Sequence, residues 1–499
     1  MTYDFTQALI GNIERTYTYA YVKNAYGYKE KPEKYDAMDY FCYLLEKEPF
    51  DAMMALDGFA FKRAKNTLDK YAIPYTEEQE RRARVYFDVT EKMKKERSDY
   101  VSLFVENFER TGVVKVGEPF ILTTSKTIEL ARFIKELPRI KSVDNMIYEN
   151  ELDPLVMKTK EQLEAIKTCV LNQVSCLIGG AGTGKSFVTA QIIKQFQAND
   201  LSVVVLAPTH KAREALQSKM DSNGVRGKVR TIHSFVHNPE ECDVIVIDES
   251  GMLSTPLLHA LFQNAYEGQQ LVFVGDKNQL PPVEYGRPFE KIQELFVVAE
   301  LKKNHRSESE DIIALGREIL GVPQNANREV RNIEVVNDIK SAFEKGAEVL
   351  LSFTNADVKI TNEVRKLKNA EKSISPYYSI GDVVIAKTNE RDRDFYNGQI
   401  FEVTGYDTLR NKQTGRVVRL KTAKDLEFNF DLAYGLTIHK SQGSEWDTVA
   451  YKPSSLDTQN LAYVAVTRAK KKLIIVGDGM KATYPTEKEW KQLDEIDSI

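Results

Sequence analysis

Apolar and polar positions alternate differently in successive parts of this chain. Between about residues 160 and 300, short unbroken apolar runs are each followed by a helix-like segment: Val174–Ile178, Val203–Ala207, Val244–Ile247 and Leu271–Val274. Runs rich in β-branched residues suit parallel strands covered on both faces. Val349–Ser352 and Leu473–Val476 repeat the texture, which predicts a second α/β unit. Between them, Ile380–Tyr406 alternates around Tyr396-Asn397-Gly398-Gln399, and Val417–Lys421 and Leu426–Phe430 read as further strand, predicting a small antiparallel barrel or sheet. Residues 1–150 are rich in Tyr, Lys and Glu; Glu77–Phe108 has helical spacing, and Val113–Leu122 reads as a hairpin around Gly117-Glu118-Pro119. The predicted class is α/β. The predicted divisions are a mainly helical domain at 1–155, a parallel-sheet unit at 156–298, a second at 299–372 and 430–499, and a small β insertion at 373–429.

Composition narrows the function classes. A chain of 499 residues suits three or four domains at roughly 150 residues each. Net charge is −4, so nucleic-acid binding, if present, must rest on a local groove. The four cysteines show no Cys-x-x-Cys spacing, which indicates neither a zinc site nor a disulfide framework, and predicts reduced thiols. The opening Met-Thr-Tyr-Asp-Phe has no secretory pattern, and no apolar run nears the length of a membrane span. A cytoplasmic protein without a membrane partner is predicted.

The chemistry begins where the first run ends. Residues 179–186 read Gly-Gly-Ala-Gly-Thr-Gly-Lys-Ser. A strand entering such a loop, with a helix after it, is a device for holding a nucleotide triphosphate. Backbone N–H groups from Gly180, Ala181, Gly182, Thr183 and Gly184 turn inward around phosphates, Lys185 reaches the β- and γ-phosphates, and the Ser186 hydroxyl ligates Mg²⁺. The third run ends in Asp248-Glu249, 62 residues after Ser186. Asp248 is predicted to hold Mg²⁺ opposite Ser186, and Glu249 to polarise an attacking water. After the fourth run, Gln279 in Gly275-Asp276-Lys277-Asn278-Gln279-Leu280-Pro281-Pro282 is placed to sense a γ-phosphate through its amide. ATP with Mg²⁺ is the predicted cofactor.

Asp-Glu after a strand, followed by Gly-Asp-x-x-Gln-Leu-Pro-Pro, resembles the superfamily 1 helicases. Asn304-His305-Arg306-Ser307, Thr437-Ile438-His439-Lys440-Ser441-Gln442-Gly443 and Tyr463-Val464-Ala465-Val466-Thr467-Arg468-Ala469 resemble their later motifs in order. Ala207-Pro208-Thr209-His210-Lys211-Ala212, Thr231-Ile232-His233-Ser234 and Ser352-Phe353-Thr354-Asn355 with Asn362 are similar to the RecD and Dda branch. The resemblance implies two RecA-like units, an SH3-like insertion and 5′-to-3′ movement on single-stranded DNA. It also implies residue roles. Gln162, 17 residues before Gly179, reads adenine; the alternative, less favoured, is an exposed glutamine at a helix start. His305 stacks on the base and Glu445 contacts the ribose. Arg306 and Arg468 are arginine fingers, suited to the spread charge of a phosphoryl transition state. Pro208, Thr209, His210, Thr231, His233, Thr354, Asn355, Thr437 and His439 grip the strand through its phosphates without reading bases.

Phe235, Phe353 and Trp446 are candidate stacking platforms, and each could equally be core. Only Phe235 to Asp243, nine residues, separate Thr-Ile-His-Ser from the Asp-Glu strand, too few for the long duplex-splitting pin of RecD and Dda relatives. The first 43 residues hold nine tyrosines interleaved with Lys23, Lys29, Lys31 and Lys34, a base-stacking surface or half-buried tyrosines on packed helices. The resemblance implies an ATP-dependent 5′-to-3′ DNA helicase of a bacterial or phage-infected cell. Its partners would be single-stranded and tailed duplex DNA, with replication or recombination proteins, and it would act as a monomer on DNA. The other readings are a strand translocase that unwinds little, an RNA-directed motor, and a strand-binding protein with a dead nucleotide site.

Overall fold

In the computed structural model the unbroken apolar runs become interior strands of two parallel sheets. The structure describes residues 13, 37–56, 59–96, 98–99, 101–102, 113–117, 121–137, 143–157, 159–263, 268–303, 310–322, 324, 330–366, 371–375, 377–390 and 393–477. The tyrosine- and lysine-rich stretch before residue 37, and His305 and Arg306, lie outside them.

The N-terminal region is helical, with Ala37–Lys47, Pro49–Met54, Phe61–Lys70 and Glu77–Glu96. Phe41, Leu45, Phe50, Met53 and Leu68 form its own core, and Tyr40 packs there too, as a tyrosine on packed helices does. Helix Glu77–Glu96 stops short of the predicted Phe108, and β1 (Val101–Ser102) begins soon after. The predicted hairpin is present as β2 (Val113–Gly117) and β3 (Ile121–Thr124), antiparallel, with β1 on the other side of β3.

The first α/β unit contains β4 (Val174–Gly179), β5 (Val203–Ala207), β6 (Val229–Thr231), β7 (Val244–Ile247), β8 (Gln270–Gly275) and β9 (Val297–Leu301). They pair in parallel in the order β6-β5-β7-β8-β4-β9. Every residue of β4, β7 and β8 is buried, which is why those runs carry no polar alternation. The second unit opens with β10 (Ile333–Val336) and β11 (Val349–Ser352). The chain leaves it for an antiparallel sheet of β12 (Val383–Ala386), β13 (Ile400–Val403), β14 (Thr408–Asn411), β15 (Val417–Arg419) and β16 (Phe430–Leu432), ordered β15-β14-β13-β12-β16. It returns as β17 (Gly435–Thr437), β18 (Trp446–Tyr451) and β19 (Ala469–Val476), completing a parallel sheet ordered β10-β19-β18-β11-β17.

Three predicted boundaries move. A division at 298/299 cuts β9, whose residues pair with Ser175–Gly179 of β4. The insertion runs past 429, because β16 pairs with β12. Leu426–Phe430, read as strand, is mostly the helix Ala423–Asn429: Thr422 and Asp425 form a capping box, and that cap overrides the alternation of Leu-Glu-Phe-Asn-Phe.

The boundary at 155 moves furthest. Helix Ser125–Glu136, capped by Thr124, places Leu130 and Ile134 in one core with Ile245, Leu258 and Phe273, and stacks Phe133 on Phe262 with centroids 4.4 Å apart. Leu152 and Val156 join the core on the other face of the sheet. A chain starting at Asp153 therefore loses a layer of the first unit. Burying two aliphatic side chains, here Leu130 and Ile134, is worth at most about 1.5–3 kcal/mol each. Thermal melting is expected to show that chain unfolded or greatly destabilised, and one starting at Thr124 folded. Equal melting temperatures would remove the helix from the core.

Candidate nucleotide cleft and strand-facing loops

The phosphate loop follows from its strand. β4 is held between β8 and β9 and delivers Gly179 at its buried end. Gly182 and Gly184 sit at φ +79° and +85°, the left-handed region where a side chain is strained. A Cβ at Gly179 would come within 2.6 Å of Thr183 Oγ1. Helix Lys185–Ala198 begins at once, so its N-terminus faces the loop. Lys185 Nζ donates to the Gly179 and Gly180 carbonyls at 2.5 and 3.0 Å, folded along the loop that it serves.

Asp248 and Glu249 follow β7. The Asp248 N–H donates to the Leu206 carbonyl at 2.9 Å, and Glu249 adopts φ +52°, which turns the pair out of the sheet. Burial, then the neighbouring Glu249 charge, holds the Asp248 carboxyl well above its ordinary range, while Lys219 and Lys185 pull it down. Lys219 Nζ donates to Ser186 Oγ at 3.0 Å. An ammonium beside the Ser186 hydroxyl and Asp248 stands where a cation is wanted, so the oxygen donors fit Mg²⁺. Among the described residues no cluster of three His, Cys, Asp or Glu could hold a metal.

A cleft of about 870 Å³ brings Ser186, Asp248, Glu249, Glu445 and Arg468 together, the first three from one unit and the last two from the other. Arg468, 6% exposed, donates from Nε to the Val464 carbonyl at 3.2 Å and from Nη1 to the Ser444 carbonyl at 3.3 Å. Gln279 does not line that cleft; it lines a separate small pocket of about 30 Å³ beside Asp276 and Asn460. Gln162 is buried in helix Lys160–Val170, so the exposed reading of it is wrong. Several bridges that the sequence does not reveal join the units. Asn460 Nδ2 donates to the Asn278 carbonyl at 2.9 Å, and Tyr463 Oη bonds both Ala181 and Asp276. Lys211 Nζ donates to the Lys440 carbonyl at 2.8 Å, and burial, then Arg468, pushes its pKa down to about 7.

The predicted strand grips share one local design. Thr209, Thr231 and Thr437 each stand at or just past the end of a parallel strand and cap the next helix, accepting from the N–H three residues on at 3.1, 3.1 and 3.4 Å. Thr354 Oγ1 likewise accepts from Asp357 N–H at 3.1 Å, just before helix Asn355–Lys366. The hydroxyls hold the turns while the remaining helix-end N–H groups can take phosphate. β5 adjoins β6, and β11 adjoins β17, so the four loops form a pair on each unit. Asn355, His233 and His439 are exposed and Pro208 is buried. His210 stacks on Tyr396 from the insertion, centroids 3.9 Å apart and planes 8° from parallel. Of the proposed stacking platforms, Phe235 is wholly buried in the core and cannot serve. Phe353 packs against the second core, and Trp446 lines the cleft. No pin follows Thr231: residues 232–243 form the short helix Ile232–His237 and a loop.

Known proteins are similar to this chain. Residues 157–331 match the family model of an AAA domain, and residues 432–476 match that of the UvrD-like helicase C-terminal domain. The ATP-dependent RecD2 DNA helicase of Deinococcus radiodurans is 26% identical, over 82% of this chain and 62% of its own length. The RecBCD enzyme subunit RecD of Mycobacterium tuberculosis is 26% identical, over 64% of this chain and 69% of its own. The crystal structure of Bacteroides Pif1 bound to ssDNA aligns at 19% identity with a TM-score of 0.45, covering 68% of this chain and 96% of that one. The chain thus spans about three-fifths of the RecD2 helicase that it matches.

Proposed function

We propose that this chain is a superfamily 1 protein of the RecD-like kind, an ATP-driven DNA helicase that moves 5′ to 3′ on single-stranded DNA. One observation carries the reading: Ser186, Asp248 and Glu249 from one parallel-sheet unit face Arg468 and Glu445 from the other across a single cleft. In this reading the loop amides and Lys185 bind the phosphates, and Glu249 takes the proton of the attacking water. Arg468 stabilises charge only when the units approach. Bound Mg²⁺, held by Ser186 and Asp248, would neutralise charge on the phosphates. Gln162, His305, Arg306 and Glu445 keep the roles that the resemblance gives them, and Gln279, which lines a separate pocket, would have to enter the cleft as the units approach to sense a γ-phosphate. Changes in the cleft would move the Thr209/Thr231 pair of loops against the Thr354/Thr437 pair, and so move a strand held by its phosphates.

Strand displacement tests it. With ATP, a 5′-tailed duplex is expected to be unwound and a 3′-tailed or blunt duplex left intact, with ATPase stimulated by DNA more than by RNA. Unwinding only from a 3′ tail overturns the polarity, and no stimulated hydrolysis overturns the motor. The short connection at 232–243 favours one second reading, a translocase that strips bound proteins. That reading gains if streptavidin is displaced from a biotinylated 3′ end while the duplex persists.

A further inference from the structure

Tyr463 lies in helix Gln459–Thr467 of the second unit, yet its hydroxyl bonds only the first. Its Oη accepts from the Ala181 N–H at 3.1 Å and donates to Asp276 Oδ2 at 3.0 Å. Asp276 Oδ1 already accepts from the Asn278 N–H at 2.9 Å, so the carboxylate is fixed as an acceptor and the phenol must be its donor. Both groups are nearly closed to solvent, Tyr463 at 4% and Asp276 at 3% exposure. The approach is close: a Cβ on Gly180 would lie 3.2 Å from the phenol oxygen. Ala181 is inside the phosphate loop, where N–H groups exist to meet phosphate oxygens. The phenol oxygen therefore sits on an amide of the nucleotide's own cradle.

The same helix ends at the catalytic cleft. Thr467 Oγ1 bonds the Tyr463 carbonyl at 2.8 Å, and Arg468 Nε bonds that of Val464 at 3.2 Å. Tyr463 and Arg468 are five residues apart, about 7.5 Å along a helix axis, and a shift at one is carried to the other.

We propose that Tyr463 is a positioning residue that senses phosphate: its hydroxyl competes with a nucleotide phosphate for the Ala181 amide, and the exchange sets where Arg468 stands. The proposal rests on the ATP reading above. It deepens that reading by naming the contact through which phosphate occupancy reaches the second unit. Loss of the amide leaves the phenol bonded to Asp276 alone, so the helix is freed from the loop but kept against the strand end. Arg468 is then released toward the cleft in step with phosphate arrival.

The test is Tyr463→Phe, which keeps the ring against Gly316 and removes only the oxygen. A neutral hydrogen bond nets about 0.5–1.5 kcal/mol, so losing the competitor is expected to tighten binding of a fluorescent, non-hydrolysable ATP analogue about 2–10-fold. KM for ATP is expected to fall with it, and kcat in the presence of single-stranded DNA to fall as well, because the signal to Arg468 is cut. A merely structural tyrosine would weaken binding or leave it alone, and unchanged or weaker binding by the folded variant overturns the proposal. A 3-fluorotyrosine at position 463 in the otherwise unaltered chain gives a second readout that does not depend on the variant's fold. Its ¹⁹F resonance is expected to move on addition of the analogue with Mg²⁺, and a stationary resonance overturns the proposal. If the unaltered protein binds no analogue at all, the ATP reading itself fails. Tight binding by the unaltered protein with no effect of Tyr463→Phe sinks only the role of the tyrosine.

Discussion

Glu249→Gln is expected to lower kcat for ATP by about 10²–10⁴-fold, the usual worth of a positioned general base, while Mg·nucleotide binding stays near that of the unaltered protein. The backbone explains why the fold should survive. Glu249 holds φ +52°, an uncommon conformation for a residue with a side chain, and the structure around it enforces that turn. The Asp248 N–H is tied to the Leu206 carbonyl at 2.9 Å, and the Met252 N–H to the Glu249 carbonyl at 2.9 Å. Glutamine has the same length and shape and uses the same bonds. The electrostatics explain why binding should survive. Asp248 is held above its ordinary range first by burial and then by the Glu249 charge. A neutral amide at 249 removes that repulsion, so Asp248 is ionised more readily and its hold on a cation is not weakened. What the amide cannot do is accept the proton of an attacking water. Steady-state hydrolysis beside equilibrium binding of a fluorescent nucleotide measures both halves. Turnover near that of the unaltered protein would show that another group activates the water. Lys185→Ala separates from this variant in the binding arm, because it removes the cation that reaches the phosphates and should weaken nucleotide binding as well as turnover.

The elements legible in the sequence were those whose environment leaves one pattern. β4, β5, β7, β8, β11 and the end of β19 are covered on both faces, and their apolar runs match the observed strands to within about a residue, except where β19 begins earlier at Ala469. β9 was missed because Val-Val-Ala-Glu-Leu pairs on one side only, with β4, and exposes Val298 and Glu300. An edge strand reads like a helix end or a loop. Leu426–Phe430 was misread in the opposite direction, as strand where most of it is helix, since a local cap at Thr422 overrides the alternation. At the candidate site, the loop at 179–186 and the carboxylate pair could be proposed from sequence because their residues are neighbours: Ser186 and Lys185 are adjacent, and so are Asp248 and Glu249. The threonine caps could have been found, since a Thr after a buried run and before a helical stretch is itself a helix-start signal. Tyr463, Lys211 and Asn460 could not. Their partners lie 282 and 187, 229, and 182 residues away, and nothing in a sequence pairs such positions before the fold does.

Arg468→Ala is expected to cut kcat by on the order of 10³-fold or more, the scale set by arginine fingers in phosphoryl transfer, with a much smaller change in nucleotide affinity. Arg468 is nearly buried, and the bonds it makes are to two main-chain carbonyls, those of Val464 and Ser444. Among the described residues no carboxylate forms an ion pair with it. A buried guanidinium left without a counter-charge is costly, and the cost falls when an anion arrives. The same excess of positive charge is felt by Lys211, whose pKa burial and Arg468 together press down to about 7. The part of the cleft around Arg468 is therefore biased toward an anion, most strongly when charge spreads over a phosphoryl group in transfer, and that difference between ground and transition state is what kcat reads. Lysine at 468 keeps the charge but loses the planar fork, so Arg468→Lys should recover little of the loss. The alanine variant leaves two carbonyls short of a donor, and melting curves must first establish that it is folded. With that established, a rise in KM at unchanged kcat would mean that Arg468 holds the bound nucleotide and does not act on the transition state.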